Sequence, residues 1–259
     1  MSTRIANIIS IVGIIVLGAY IAWQYPGLPD PMPTHWNAAG EIDDYTAKAI
    51  GAPLLVLIPL FVFVIFKLIP VMSPRGFRTE TFTGTLNIIM TASVVFGCII
   101  GIGVIRAARD ASVDISSFVF VAVGLLFMVM GNFLGKVRKN FFLGIRTPWT
   151  LASDEVWAKT HRLGGWCFFV AGILMALMGV LLPRSTMSWA MIVIVAIALI
   201  PVVYSYLAYR RIEGFAPDPD IDEESTACMG RRKCWTGCAG SWGGSRRLAP
   251  KYGSSGCWR

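Results

Sequence analysis

Two histidines occur in the 259-residue chain, His35 and His161, and each stands in a polar stretch whose side chains could work with an imidazole. Around His35 the sequence THWNAAGEIDD adds Asn37, Glu41, Asp43 and Asp44, nitrogen and oxygen donors of the kind that coordinates a metal ion. Carboxylates in a short exposed loop are ordinarily hydrated instead, so no metal is assigned to them. Around His161 the stretch NFFLGIRTPWTLASDEVWAKTHRLGG supplies Arg146, Trp149, Trp157 and Arg162. A histidine acting as general base needs a nucleophile within reach and a group that orients its ring. The chain has no G-x-S-x-G, no H-E-x-x-H and no paired acids inside an apolar run, so neither a catalytic residue nor an enzyme is expected. Cysteine suggests no cofactor. Cys98 and Cys167 fall in or beside apolar runs, where a thiol is a small hydrophobe, and Cys228, Cys234, Cys238 and Cys257 match no standard zinc spacing.

The elements that position these residues are set by hydropathy. The chain is 55% hydrophobic and 15% charged, against about 25% charged in an ordinary soluble domain. Six runs approach the roughly 20 apolar residues that a hydrocarbon core requires of a helix: residues 5–23, 51–66, 86–105, 116–134, 166–182 and 187–209. The second is short, and Leu68 and Ile69 extend it if Lys67 snorkels. The first lacks a small-residue cleavage site after Trp23 and Gln24, and is read as a retained anchor. Backbone in lipid must satisfy its own hydrogen bonds, which predicts an all-α polytopic membrane protein with six transmembrane helices. Pro53, Pro59 and Pro201 are expected to kink helices, and Gly97, Gly101 and Gly103 to let the third span pack closely. Asn87 and Asn132 are the deepest strongly polar side chains and are expected to hydrogen-bond between helices. No ionisable side chain lies near the middle of a span, which argues against a pump or a proton-coupled carrier.

Basic residues set the orientation. With the amino terminus in the cytoplasm, the cytoplasmic segments before the tail hold twelve Lys and Arg, including Arg75, Arg78, Lys136, Arg138, Lys139, Arg210 and Arg211. The outer segments hold four, Lys48, Arg106, Arg109 and Arg184. Both termini are therefore expected in the cytoplasm, the location being a cell membrane crossed several times. The same bias accounts for most of the net charge of +8, so no direct nucleic-acid partner is inferred. Residues 215–224, FAPDPDIDEE, read as a solvated linker, and the Trp-, Cys-, Gly- and Arg-rich remainder shows no helical or strand periodicity. The tail 213–259 is expected to be disordered, with a non-native look from about Ala227.

The two polar loops then face opposite compartments, which separates the histidines. In the outer loop, 25–50, four prolines favour an extended backbone and THWNAAGE a turn around Gly40. His35, Trp36, Asn37 and Glu41 are its candidate ligand-binding residues. In the cytoplasmic loop, 135–165, Phe141, Phe142, Ile145 and Trp149 alternate with basic residues, a composition suited to an anionic lipid surface. Ser153 is a good N-cap for a helix of about three turns ending before Gly164 and Gly165, with Trp157 and His161 stacked one turn apart. This segment reads either as an interfacial helix under the bundle or as a docking surface for a cytoplasmic protein or lipid head groups. Its candidate partner-binding residues are Asn140, Arg146, Thr147, Pro148, Trp149, Trp157, His161 and Arg162.

The sequence GNFLGKVRKNFFLGIRTPWTLASDEVWAKTHRLGG resembles the signature of the SdpI family of bacterial membrane proteins, on Asn132, Asn140, Gly144, Arg146, Thr147, Pro148, Trp149, Thr150, Trp157, His161 and Arg162. LPDPMPTHWNAAGEIDDYTAK resembles the small domain of unknown function that often precedes it. The resemblance covers residues 1–212 and implies a division into 1–83, with two spans and the outer loop, and 84–212, with four spans and the cytoplasmic loop. It further implies immunity to a secreted toxin peptide, sensing of that peptide, and retention of a small helix-turn-helix repressor at the bacterial plasma membrane. A transporter or channel for a small solute or peptide is the alternative.

Overall fold

A computed structural model describes residues 1–37, 40–74, 79–110, 112–182 and 184–214, with side-chain detail in the last stretch from residue 191. Arg75, Arg78, the side chain of Arg184 and the whole tail from Phe215, including Ala227 and its four cysteines, lie outside the described residues. The elements are α1 (Thr3–Gln24), β1 (Met32–Trp36), β2 (Ile42–Thr46), α2 (Lys48–Met72), α3 (Thr83–Arg109), α4 (Ile115–Leu134), α5 (Pro148–Ala152), α6 (Asp154–Leu181) and α7 (Arg184–Ile212). Among the described residues, six helices are long and apolar enough to cross a membrane, and the chain is an all-α, multi-pass membrane protein. Each helix matches one of the predicted runs.

α1 shows how lipid and core divide a helix. Its buried residues, Ala6, Ser10, Ile14, Leu17 and Ile21, recur every three or four positions and so line one face. Ile8, Ile11, Val12, Ile15 and Val16 are exposed on the rest, as a lipid-facing surface requires. Leu17 sits over Gly101 of α3, where an added Cβ would be 3.0 Å from it. Pro59, inside α2, rests against Gly97 in the same way at 3.1 Å. The third span therefore offers its glycines to neighbours on two sides, as expected. α2 runs on through Lys67, which snorkels to place Nζ 3.5 Å from Asn7 Oδ1. Asn87 joins helices as expected, donating to Thr3 Oγ1 at 3.0 Å, whereas Asn132 is exposed at the edge of a groove.

Small residues recur every seventh position on both α4 and α6: Ser117, Gly124 and Gly131 on one, Gly179, Gly172 and Gly165 on the other. The two rows face each other antiparallel. An added Cβ on Gly124 would lie 2.6 Å from Gly172 O, and one on Gly131 2.6 Å from Gly165 O. The helix backbones touch there, because dispersion contact replaces the hydrophobic drive that lipid cannot supply. This corrects the expectation that Gly164 and Gly165 end a short helix. α6 continues unbroken from Asp154 to Leu181, and its glycines are a contact face.

The outer loop is more ordered than an extended proline segment. β1 and β2 pair antiparallel with Met32 opposite Thr46 and Trp36 opposite Ile42, an addition to the all-α plan. The turn between them contains Gly40 at φ +80°, a conformation suited to glycine. Met32 is fully buried against α2, with its Sδ 3.0 Å from where a Cβ on Gly51 would be, and Lys48 N donates to Asp30 Oδ1 at 3.1 Å.

Candidate functional sites at the two ends of the bundle

The hairpin and the α4–α6 connection lie at opposite ends of the helices. At the end that bears the amino terminus, Val137 and Trp157 share a buried cluster with Ile69, Phe82, Leu86 and Ile89. Around this cluster the connection 135–153 is pinned at five buried residues, Val137, Asn140, Thr147, Thr150 and Ser153. Asn140 is fully buried and replaces a turn of backbone bonding. Its Oδ1 accepts from Phe142 N (2.8 Å) and Leu143 N (2.7 Å), and its Nδ2 donates to Arg138 O (2.8 Å) and Leu143 O (3.2 Å). Gly144 follows at φ +108°, and an added Cβ there would overlap the imidazole of His161.

That imidazole is the centre of the site. His161 has no solvent exposure, and its Nδ1 donates to Trp157 O at 2.8 Å. Its Nε2 accepts from Ile145 N at 3.0 Å. A ring that accepts at Nε2 and donates at Nδ1 is the neutral Nδ1–H tautomer. The Trp157 indole stacks on it at 4.0 Å between centroids and 18° between planes, and donates Nε1–H to Val137 O at 2.8 Å. With both nitrogens occupied by backbone, His161 latches the connection onto α6.

A second latch reaches α7. Thr147 and Thr150 form a reciprocal capping box at the start of α5, with Thr150 N donating to Thr147 Oγ1 (3.2 Å) and Thr147 N to Thr150 Oγ1 (2.9 Å). Ser205 donates its hydroxyl proton to Val202 O at 2.6 Å, and its oxygen lies 3.0 Å from Thr147 Oγ1 in a hydrogen bond between the two hydroxyls. One residue on, Tyr206 meets the Trp149 ring edge-to-face at 5.1 Å.

The eight residues expected to bind a partner thus separate. Asn140, Thr147, Trp157 and His161 are buried, and their polar groups are spent on shaping the segment. Arg146, Pro148 and Arg162 are exposed, Trp149 is half-buried, and Phe141 adds an exposed aromatic beside them. The Arg146 guanidinium donates to Phe141 O, which holds the cation over the loop. Sequence reasoning missed Ser205 and Tyr206. The available signal was the polar Tyr204–Ser205–Tyr206 stretch in an otherwise apolar run after Pro201.

At the opposite end, three of the four outer candidates meet. Thr34, His35, Trp36 and Asn37 line a pocket of about 330 Å³ whose far wall is Val104, Ile115, Val119 and Phe120 at the mouth of α3 and α4. Glu41 lies beneath it as a brace: Asn37 Nδ2 donates to Glu41 Oε2 at 3.1 Å, and Glu41 N donates to Asn37 Oδ1 at 3.0 Å. His35 Nδ1 lies 2.6 Å from Asp43 Oδ1, which fixes the ring beside the opening. The result is an apolar floor with a polar rim, suited to an apolar side chain on a polar backbone.

These features define a class: an integral membrane protein of six spanning helices with one structured polar segment at each end. The connection and the helices that hold it coincide with a family boundary, since residues 136–205 match the SdpI/YfhL protein family and residues 12–62 match a domain of unknown function, DUF1648. The chain is also 25% identical over 215 residues to the "Immunity protein SdpI" of Bacillus subtilis (strain 168), covering 80% of this chain and 98% of that protein. The chain is thus similar to the SdpI family over residues 136–205. No solved structure matches it.

Proposed function

We propose that the chain confers immunity to a secreted killing peptide. The hairpin pocket engages an apolar side chain of that peptide outside the cell, and both termini with the α4–α6 connection lie in the cytoplasm of a bacterium. The observation that carries this reading is the pairing of a rimmed apolar pocket at one end with a latched, basic, aromatic surface at the other. Similarity along nearly the whole of an immunity protein supports it. On the cytoplasmic side, Phe141, Arg146, Pro148, Trp149 and Arg162 form the surface that retains a small helix-turn-helix repressor when the pocket is filled. The buried Asn140, Thr147, Trp157 and His161 hold that surface in shape.

The test is survival. Cells sensitive to a killing peptide and expressing the chain are challenged alongside cells expressing Trp36→Ala or Arg146→Ala. Immunity through the pocket predicts that Trp36→Ala is killed while remaining at wild-type level in the membrane. Sensing through the connection predicts that Arg146→Ala loses the transcriptional response and keeps Trp36-dependent protection. Equal survival of wild type and Trp36→Ala sinks the proposal.

A further inference from the structure

At the end that bears the amino terminus, a groove of about 280 Å³ runs along the α4–α6 seam, floored by Gly131 and Gly165 and walled by Trp166 and Phe169. It opens past Gly135 into a larger polar cavity of about 1100 Å³ that also holds Arg138, Lys139 and Asp154. Lys136 and Arg162 line both spaces, so they stand where the apolar groove becomes polar. Gly135 keeps them adjacent, because an added Cβ on it would be 3.6 Å from Arg162 Cα. The acids nearby are already engaged: Asp154 pairs with Lys139 at 2.5 Å and Glu155 with Lys159 at 2.7 Å. Among the described residues, Lys136, Arg138 and Arg162 carry no ion pair. The Lys136 ammonium lies 4.6 Å from the Phe133 ring centroid, bent back toward the apolar side. Trp166, one turn beyond Arg162, is 67% exposed with Phe169 edge-on to it, the placement of an aromatic at a lipid interface.

We propose that this groove seats one anionic phospholipid, its phosphate between Lys136 and Arg162 and an acyl chain over Gly131, Gly165, Trp166 and Phe169. The glycine floor lets a chain approach the helix backbones, which larger side chains would prevent. The cations supply the charge that phosphate complements and a zwitterionic head group half cancels. The site borders the His161 latch: Arg162 follows it directly, and Trp157 lines the polar cavity. The inference does not depend on immunity, since it concerns lipid alone.

Native mass spectrometry of the full chain in detergent, titrated with phosphatidylglycerol or phosphatidylcholine, tests it. Wild type is expected to retain one phosphatidylglycerol in preference to phosphatidylcholine. Lys136→Gln with Arg162→Gln is expected to weaken that retention by on the order of fivefold for each cation removed. Arg210→Gln with Arg211→Gln, which removes the same charge from the last turn of α7, is expected to leave it unchanged. Phe169→Ala reports on the acyl chain and should weaken both lipids alike. Equal retention of the two lipids, equal losses in the two double variants, or displacement by glycerol 3-phosphate as effective as by lipid overturns the proposal. Circular dichroism of each variant shows whether it folds, and should Lys136→Gln with Arg162→Gln fail, Lys136→Gln alone, expected to weaken retention about fivefold, replaces it in the comparison.

Discussion

Gly144 has no room for a side chain because the imidazole of His161 occupies the space where its Cβ would be. The pair is one device: a left-handed glycine lets the backbone turn so that Ile145 N–H meets Nε2, and the ring in turn fixes the turn. Gly144→Ala therefore incurs both backbone strain and displacement of the ring. A loss of about 2–4 kcal/mol is expected, from strain of about 1–3 kcal/mol together with a broken buried hydrogen bond. Thermal unfolding of the purified chain in detergent measures it. The neutral tautomer itself is visible by nitrogen NMR of labelled histidine, as an unprotonated Nε2 for His161.

The capping box and the Ser205 contact separate two effects that a single substitution would merge. Thr147→Val removes the cap of α5 and the bond to α7 together, while Ser205→Ala removes only the second. The first should cost about 1–2 kcal/mol, the usual cost of a lost cap, and the second less. Hydrogen exchange at Thr150 N–H should rise in Thr147→Val and stay low in Ser205→Ala. Equal protection of that amide in both variants would show that the cap does not hold α5.

Spacing alone predicted all six spans, because lipid imposes one requirement on every spanning residue. The stacked Trp157 and His161 were legible for the same kind of reason, since residues one turn apart on a helix must meet. Less was legible in the connection. Asn140 and Trp157 resemble surface-binding residues in sequence, yet both are buried, because their polar atoms satisfy a backbone that has no regular structure to do so. The β-hairpin escaped because Pro31 and Pro33 argue against strand while Met32, between them, is the side chain that anchors it on α2. Gly164 and Gly165 were misread as a helix end, although in lipid a glycine more often marks where two helices touch.

That contact makes the glycines unequal. Gly172→Val should separate α4 from α6, since its Cβ would lie 2.5 Å from Gly124 O and 2.7 Å from Met128 N, both backbone atoms that cannot yield. A cost of about 1–3 kcal/mol is expected from overpacking. Gly18→Ala is the control: nothing lies within 4 Å of the added carbon, and the change should be neutral or slightly stabilising. Unfolding midpoints that fall equally in the two variants would refute the close contact.

The rim of the hairpin should behave in the opposite manner, carrying function with little stability. Asn37 and Glu41 bond each other across the turn at the pocket rim, away from the buried Met32 that holds the hairpin down. Asn37→Ala is expected to shift global stability by no more than about 0.5 kcal/mol, the range of surface changes. It nevertheless loosens the rim and should lower protection against a killing peptide. Met32→Ala empties a buried site between hairpin and α2, and should cost about 2–5 kcal/mol along with protection. The informative comparison is Asn37→Ala with Trp36→Ala at matched membrane levels: if the pocket is the recognition site, both lose protection while the unfolding midpoint of Asn37→Ala remains near wild type, and intact protection in both would leave the pocket without a ligand.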